Sequence, residues 1–220
     1  MSIDKRRLYL FVYSLLAFLI LCLFIPVNLL KYILAVGLVL YAFLVCFFVK
    51  KRSILSLYKK NVLYLIIVIS LVYLTIYYLS GIKFGYLQSH KFSFSIIFKY
   101  ILPFSAIIIS SELIRHVFLA QNKKCVDLIA YISSILIDYL MVYNVFSFNN
   151  FNMFIDIMSL TLLPSIMFNI LYHNLSKEYG LWPGISFRLV LTLYPFIIPI
   201  IPNTPESLVS LFNLFVPLLI

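Results

Sequence analysis

Charge is scarce in this sequence of 220 residues. Asp, Glu, Lys and Arg together make up 11%, where a soluble globular chain carries roughly 25%. Hydrophobic residues reach 64% and mean hydropathy is +1.10. Too few polar side chains remain to cover a water-facing surface, which excludes an ordinary soluble domain. Cysteine is nearly missing: Cys22, Cys46 and Cys125 have neither metal-ligand nor redox spacing, so no disulfide framework is expected. Five glycines are few for a transporter built on broken helices, and there is no Gly-rich phosphate loop. The histidines His90, His116 and His173 form no His-Glu-x-x-His pattern and no pair four apart, so no metal site is expected. No cofactor is expected either. Acidic residues number 7 against 17 Lys and Arg, a formal net charge of +10. In a soluble chain that excess would suggest nucleic acid. Here the cations lie between apolar runs, where they set membrane topology, and no nucleic-acid partner is expected.

What the sequence does have is long apolar runs. A span needs about 20 apolar residues to cross a hydrocarbon core of roughly 30 Å. Runs at about 8–25, 32–49, 62–79, 96–118, 126–146, 154–173 and 185–201 qualify. The first follows Lys5-Arg6-Arg7 like a signal peptide, but no small-residue cleavage site follows, so a retained span is expected. An eighth run, Leu208 to Ile220, would extend only about 20 Å as a helix. It predicts either a half-span packed within protein or a sequence cut at a fragment boundary, with the second preferred. The fold class expected is all-α: a polytopic membrane helix bundle of about eight transmembrane helices. Residues 1–94 form a three-span region with an interfacial segment, and residues 95–220 form the core of one integrated membrane domain.

Cations fall unevenly about these spans. Lys5, Arg6 and Arg7, then Lys50, Lys51, Arg52, Lys59 and Lys60, then Lys123, Lys124 and Lys177 lie on one side. Only Lys31, Lys83 and Lys91 lie on the other. The first side is cytoplasmic by the positive-inside rule, so a multi-pass cell-membrane protein with a cytoplasmic N-terminus is expected. Residues Ile82 to Ser95 mix Lys83, Tyr86, His90 and Lys91 with aromatics, which suits either a short amphipathic interfacial helix or a loop. Pro103 and Pro164 inside spans should kink them. Pro195, Pro199, Pro202 and Pro205 should end the seventh span in a bent, partly unwound stretch.

Ionisable groups within spans are costly and by default mark function. Glu112 with Arg115 is an i,i+3 pair and with His116 an i,i+4 pair, all on one helical face. A Glu beside a neutral His suits a general base acting on water. The plainer reading is an internal ion pair at a helix end. Asp138 stands mid-run and needs a partner from the bundle interior; Arg188 is the candidate. That bond would hold helices together. His173 and Asn174 end the sixth run at an interface, and Asp156 and Glu178 are boundary residues.

Three short stretches in the second half carry a family resemblance. Ser111-Glu112-Leu113-Ile114, Ile132-Ser133-Ser134-Ile135-Leu136 and Tyr179-Gly180-Leu181-Trp182-Pro183-Gly184-Ile185 follow in order. They resemble the successive motifs of the CPBP family, the intramembrane proteases related to CAAX prenyl endopeptidases. The resemblance covers about residues 95–200 and implies a CPBP-like core. In that family Glu and His residues activate a water for peptide-bond hydrolysis. Here the first motif Glu falls on Ser111, its Arg on His116, the second motif's Phe and His on Ile137 and Met141, and the third motif's His and Asn on Arg188 and Thr192. The resemblance therefore implies the fold and argues against the activity. A second resemblance rests on Leu175-Ser176-Lys177-Glu178-Tyr179-Gly180, Phe187-Arg188-Leu189 and Tyr194 to Asn203. These are similar to the multi-span N-terminal region of Firmicute type I signal peptidases of the endoplasmic-reticulum-like class.

Three functions fit these readings. The first is a non-catalytic membrane module serving protein processing, as in the membrane domain of a signal-peptidase-like protein, with secreted or membrane proteins as partners besides the lipid bilayer. The second is an active intramembrane endopeptidase with an atypical site of Glu112, His116 and Asp138. The third is a small-solute transporter subunit using Asp138 and Arg188 in a polar cavity. Asp138, Arg188 and Arg115 are the expected intramembrane polar pairing.

Overall fold

A computed structural model describes residues 5–49, 60–88, 93–142, 155 and 157–219. Lys50, Lys51, Arg52 and Lys59 of the expected cytoplasmic loop lie outside the described residues. So do His90, Lys91, Asp156 and the expected end of the fifth span at 143–146.

Helix α1 (Lys5–Cys22) stops four residues before Pro26, whose missing N–H and steric bias against a helical predecessor break the run. The Pro26 carbonyl then accepts from Leu29 and Leu30 N–H at 3.0 and 3.1 Å and opens α2 (Val27–Val49). Helix α3 (Lys60–Phe84) ends at Gly85, whose φ of 83° is the left-handed conformation that favours glycine. Helix α4 covers Phe94–Leu119 and α5 covers Lys124–Val142. Helix α6 (Leu163–Tyr179) and α7 (Leu181–Ile197) are separated by Gly180 alone, at φ 90° and ψ −167°. Helix α8 is Glu206–Leu219.

Pro103 and Pro164 are both buried in the first turn that follows a π-helical turn, Ile97–Ile101 and Ile157–Leu162 respectively. The disturbance expected of proline within a run thus takes the form of a widened turn. The wider ring gives the pyrrolidine room and leaves its absent N–H unneeded. In segment 82–95 the described residues differ from both expectations. Ile82 to Phe84 complete α3, and Tyr86–Gln88 form strand β1. Strand β2 (Ile200–Pro202) pairs with it antiparallel, with Leu87 opposite Ile201. Tyr78 Oη donates to the Ile200 carbonyl at 2.9 Å, and Ser80 and Thr204 hydroxyls meet at 2.6 Å. The proline-rich segment after α7 is therefore clasped to the end of α3.

Among the described residues four helices are long and apolar enough to cross a membrane: Val27–Phe48, Tyr64–Phe84, Phe94–Leu119 and Lys124–Val142. The molecule is a helical membrane bundle. The apolar stretches Arg7–Cys22, Leu181–Ile197 and Ser207–Pro217 are shorter, and α6 carries Asn169, His173, Asn174, Lys177 and Glu178. Large apolar side chains face outward, such as Val36, Phe43 and Phe47 on α2 and Tyr64 and Leu71 on α3. They suit lipid, where outward apolar surface costs nothing.

Inside, α1 presents Leu8, Val12, Leu15 and Leu19 at alternating four- and three-residue spacing, and these pack with Leu30, Leu34 and Leu38 of α2 and with α4 and α5. A second apolar cluster joins Ile66 of α3, Leu171, Tyr172 and Leu175 of α6, and Phe187 of α7. Helices α4 to α7 meet between the two clusters.

Candidate functional site

Each of those four helices turns polar residues one helical turn apart toward a common centre. Helix α4 supplies Glu112 and Arg115, α5 supplies Ser134 and Asp138, and α6 supplies Ser165, Asn169 and Tyr172. Helix α7 supplies Gly184 and Arg188. The i,i+3 and i,i+4 spacings put each set on one face. Gly180, with no Cβ, allows the reversal that lays α7 against α6. Gly184 leaves room for the Glu112 carboxylate, whose Oε2 would stand 3.4 Å from a Cβ there.

Arg188 is the hub. Its Nη1 donates to Glu112 Oε1 at 2.8 Å and to Ser111 Oγ at 2.9 Å, and its Nη2 donates to Asp138 Oδ1. Arg115 Nη1 donates to Glu112 Oε2 at 3.0 Å, Nε to Ser134 Oγ at 3.1 Å and Nη2 to Asn169 Oδ1. The second Asp138 oxygen accepts from Asn169 Nδ2 at 2.6 Å and Ser165 Oγ at 2.9 Å. The Tyr172 ring lies 5.5 Å from the Arg115 guanidinium carbon and 5.7 Å from that of Arg188. Two carboxylates thus face two guanidiniums, and every charge is paired and hydrogen-bonded, the condition for burying charge at tolerable cost. Glu112, Arg115 and Arg188 are almost wholly buried, while the Asp138 side chain keeps 19% exposure. It borders a cavity of about 310 Å³ also lined by Arg188, Thr192, Tyr194 and Asn213.

Of the residues singled out in the sequence, Glu112, Arg115, Asp138 and Arg188 come together. His116 does not join them. Its Nδ1 lies 3.1 Å from Ser176 Oγ and 3.3 Å from the Ser176 carbonyl oxygen, and among the described residues no hydrogen bond links it to Glu112. The general-base pair of Glu112 and His116 is therefore not assembled. Both carboxylate oxygens are held by arginines, and the imidazole takes a partner on α6 instead. His173 and Asn174 do not end their helix, which continues to Tyr179; the His173 ring stands edge-on to Tyr131 at 6.1 Å.

Sequence reading passed over Ser165, Asn169 and Tyr172, the place of Gly184 beside Glu112, and the bond from Arg188 to Glu112. The available signal was the spacing of Ser165, Asn169 and Tyr172, which marks one polar stripe in an apolar run. Among the described residues no three His, Cys, Asp or Glu side chains gather where they could hold a metal ion. The chain matches no protein-family model, no curated protein and no solved structure.

Proposed function

We propose that this chain is a non-catalytic integral membrane module with a CPBP-like core, serving the processing of secreted or membrane proteins. In this reading it is a multi-pass cell-membrane protein with a cytoplasmic N-terminus, and it resembles the membrane domain of signal-peptidase-like proteins. One observation carries it: Arg188, standing where the family motif has a histidine, donates to both Glu112 and Asp138. A carboxylate held on both oxygens by arginines, with 1% of its side chain exposed, is poorly placed to take a proton from a water. The network ties four helices together and engages Glu112 and Asp138 with arginines. The test is removal of the chain from cells that make it, with protein N-termini compared by mass spectrometry. Delayed or altered processing, restored equally by wild type and by Glu112→Gln at matched membrane level, is expected. Unchanged processing after removal would end the proposed role. Restoration by wild type alone would make the chain itself the protease.

The cavity beside Asp138 favours a second reading, a site for a small polar solute. It has hydroxyl and amide groups on its wall and one partly accessible carboxylate. Solute uptake unaffected by Asp138→Asn would count against it.

A further inference from the structure

The start of α2 and the start of α4 stand side by side, and each carries a lysine. Lys31 lies in the second turn of α2, and Lys99 lies in the π-helical turn of α4. Both ammonium groups converge on the ring of Tyr100, at 4.5 Å for Lys31 Nζ and 5.6 Å for Lys99 Nζ. Among the described residues neither has a carboxylate within ion-pair distance. They line a groove of about 750 Å³ with Asn28, Tyr32, Phe104 and Phe196. Its floor is apolar: Phe196 stacks on Tyr100 at 5.1 Å and 9°, and Phe104 packs on Phe196 at 5.4 Å.

We infer that this groove holds an anionic phospholipid, with its phosphate between Lys31 and Lys99 and an acyl chain along the aromatic floor. Depth fits this occupant. Both lysines lie about one to one and a half turns inside helices long enough to span. That is roughly 6–8 Å along the axis, where a long side chain reaches the headgroup layer. Charge fits as well. Two cations, the positive end of α2 and, among the described residues, no carboxylate paired with either lysine favour a phosphate. A zwitterionic headgroup would bring its own cation against the lysines. The apolar floor distinguishes a lipid from free phosphate, which would have no use for it. This inference requires only that α2 and α4 cross a bilayer and is independent of the role given to the buried network.

The test is native mass spectrometry of the full chain released from nanodiscs holding equal phosphatidylglycerol and phosphatidylcholine with identical acyl chains. A roughly tenfold preference for phosphatidylglycerol is expected from two interfacial lysines. Lys31→Gln with Lys99→Gln should remove it. Lys83→Gln, which removes one lysine charge at the end of α3, should leave it. Millimolar inorganic phosphate should not displace the retained lipid. Equal retention of both lipids would overturn the proposal, as would a preference that survives the double substitution or falls as far with Lys83→Gln. Displacement by inorganic phosphate would show an anion site without a lipid requirement, which also overturns it. An unchanged thermal unfolding midpoint shows that the double variant folds.

Discussion

Removing Arg188 should be among the most damaging single changes in this molecule. Arg188→Met keeps much of the side-chain volume but deletes the guanidinium that serves Ser111, Glu112 and Asp138. Two buried carboxylates then face only Arg115. Breaking a buried pair on one side costs about 3–5 kcal/mol, because a charge is left without compensation. Asp138→Asn creates the opposite imbalance, two guanidiniums against Glu112, and should cost a similar amount. The double variant restores neutrality through the Glu112–Arg115 pair, which remains at 3.0 Å in the native arrangement. It should therefore cost about 1–3 kcal/mol less than the two single changes together. Unfolding in mixed micelles with rising dodecyl sulfate provides the free energies. The single tryptophan, Trp182 in the first turn of α7, reports on the helix that carries Arg188. Strict additivity, or a loss under about 1 kcal/mol for Arg188→Met, would refute a network stabilised by charge balance.

Two glycine positions make separate predictions, read in the same assay. Gly180 at φ 90° holds a conformation that side chains rarely adopt, so Gly180→Ala should cost about 1–3 kcal/mol. Gly184→Ala places a methyl at ordinary contact distance from Glu112 and gains helix propensity, so it should change stability by less than about 1 kcal/mol. Gly184→Leu should lose at least about 2 kcal/mol, because its branch must enter the space of the Glu112 carboxylate. A tolerated leucine would show that α4 and α7 are farther apart than described.

Much of the helical layout was legible because composition and run length are local properties. The apolar runs around 32–49, 62–79 and 96–118, and the described part of the run 126–146, reappear within helices long enough to span. The polar partners of Glu112 and Asp138 were only half legible. Arg115 lies on the same helix, so spacing alone pairs it with Glu112. Arg188 was the candidate partner for Asp138 from span order alone, but its second bond to Glu112 depends on how α7 is rotated. Rotation is hard to read where a helix is apolar almost all round, as α3 is, since no polar face marks the outside. His116 shows the same limit. Its i,i+4 spacing allows a bond to Glu112, and competition from two arginines and from Ser176 decides otherwise. The π-helical turns before Pro103 and Pro164 and the β1–β2 pairing arise from tertiary fit, and no local propensity announces them.

In the proposed role Glu112 is a locked structural charge with no part in peptide-bond hydrolysis. That role is tested most directly with purified wild-type protein in liposomes, offered transmembrane and signal-bearing peptides, with fragments counted by mass spectrometry. No cleavage above protein-free liposomes is expected. Cleavage by the wild type that disappears with Glu112→Gln would contradict it.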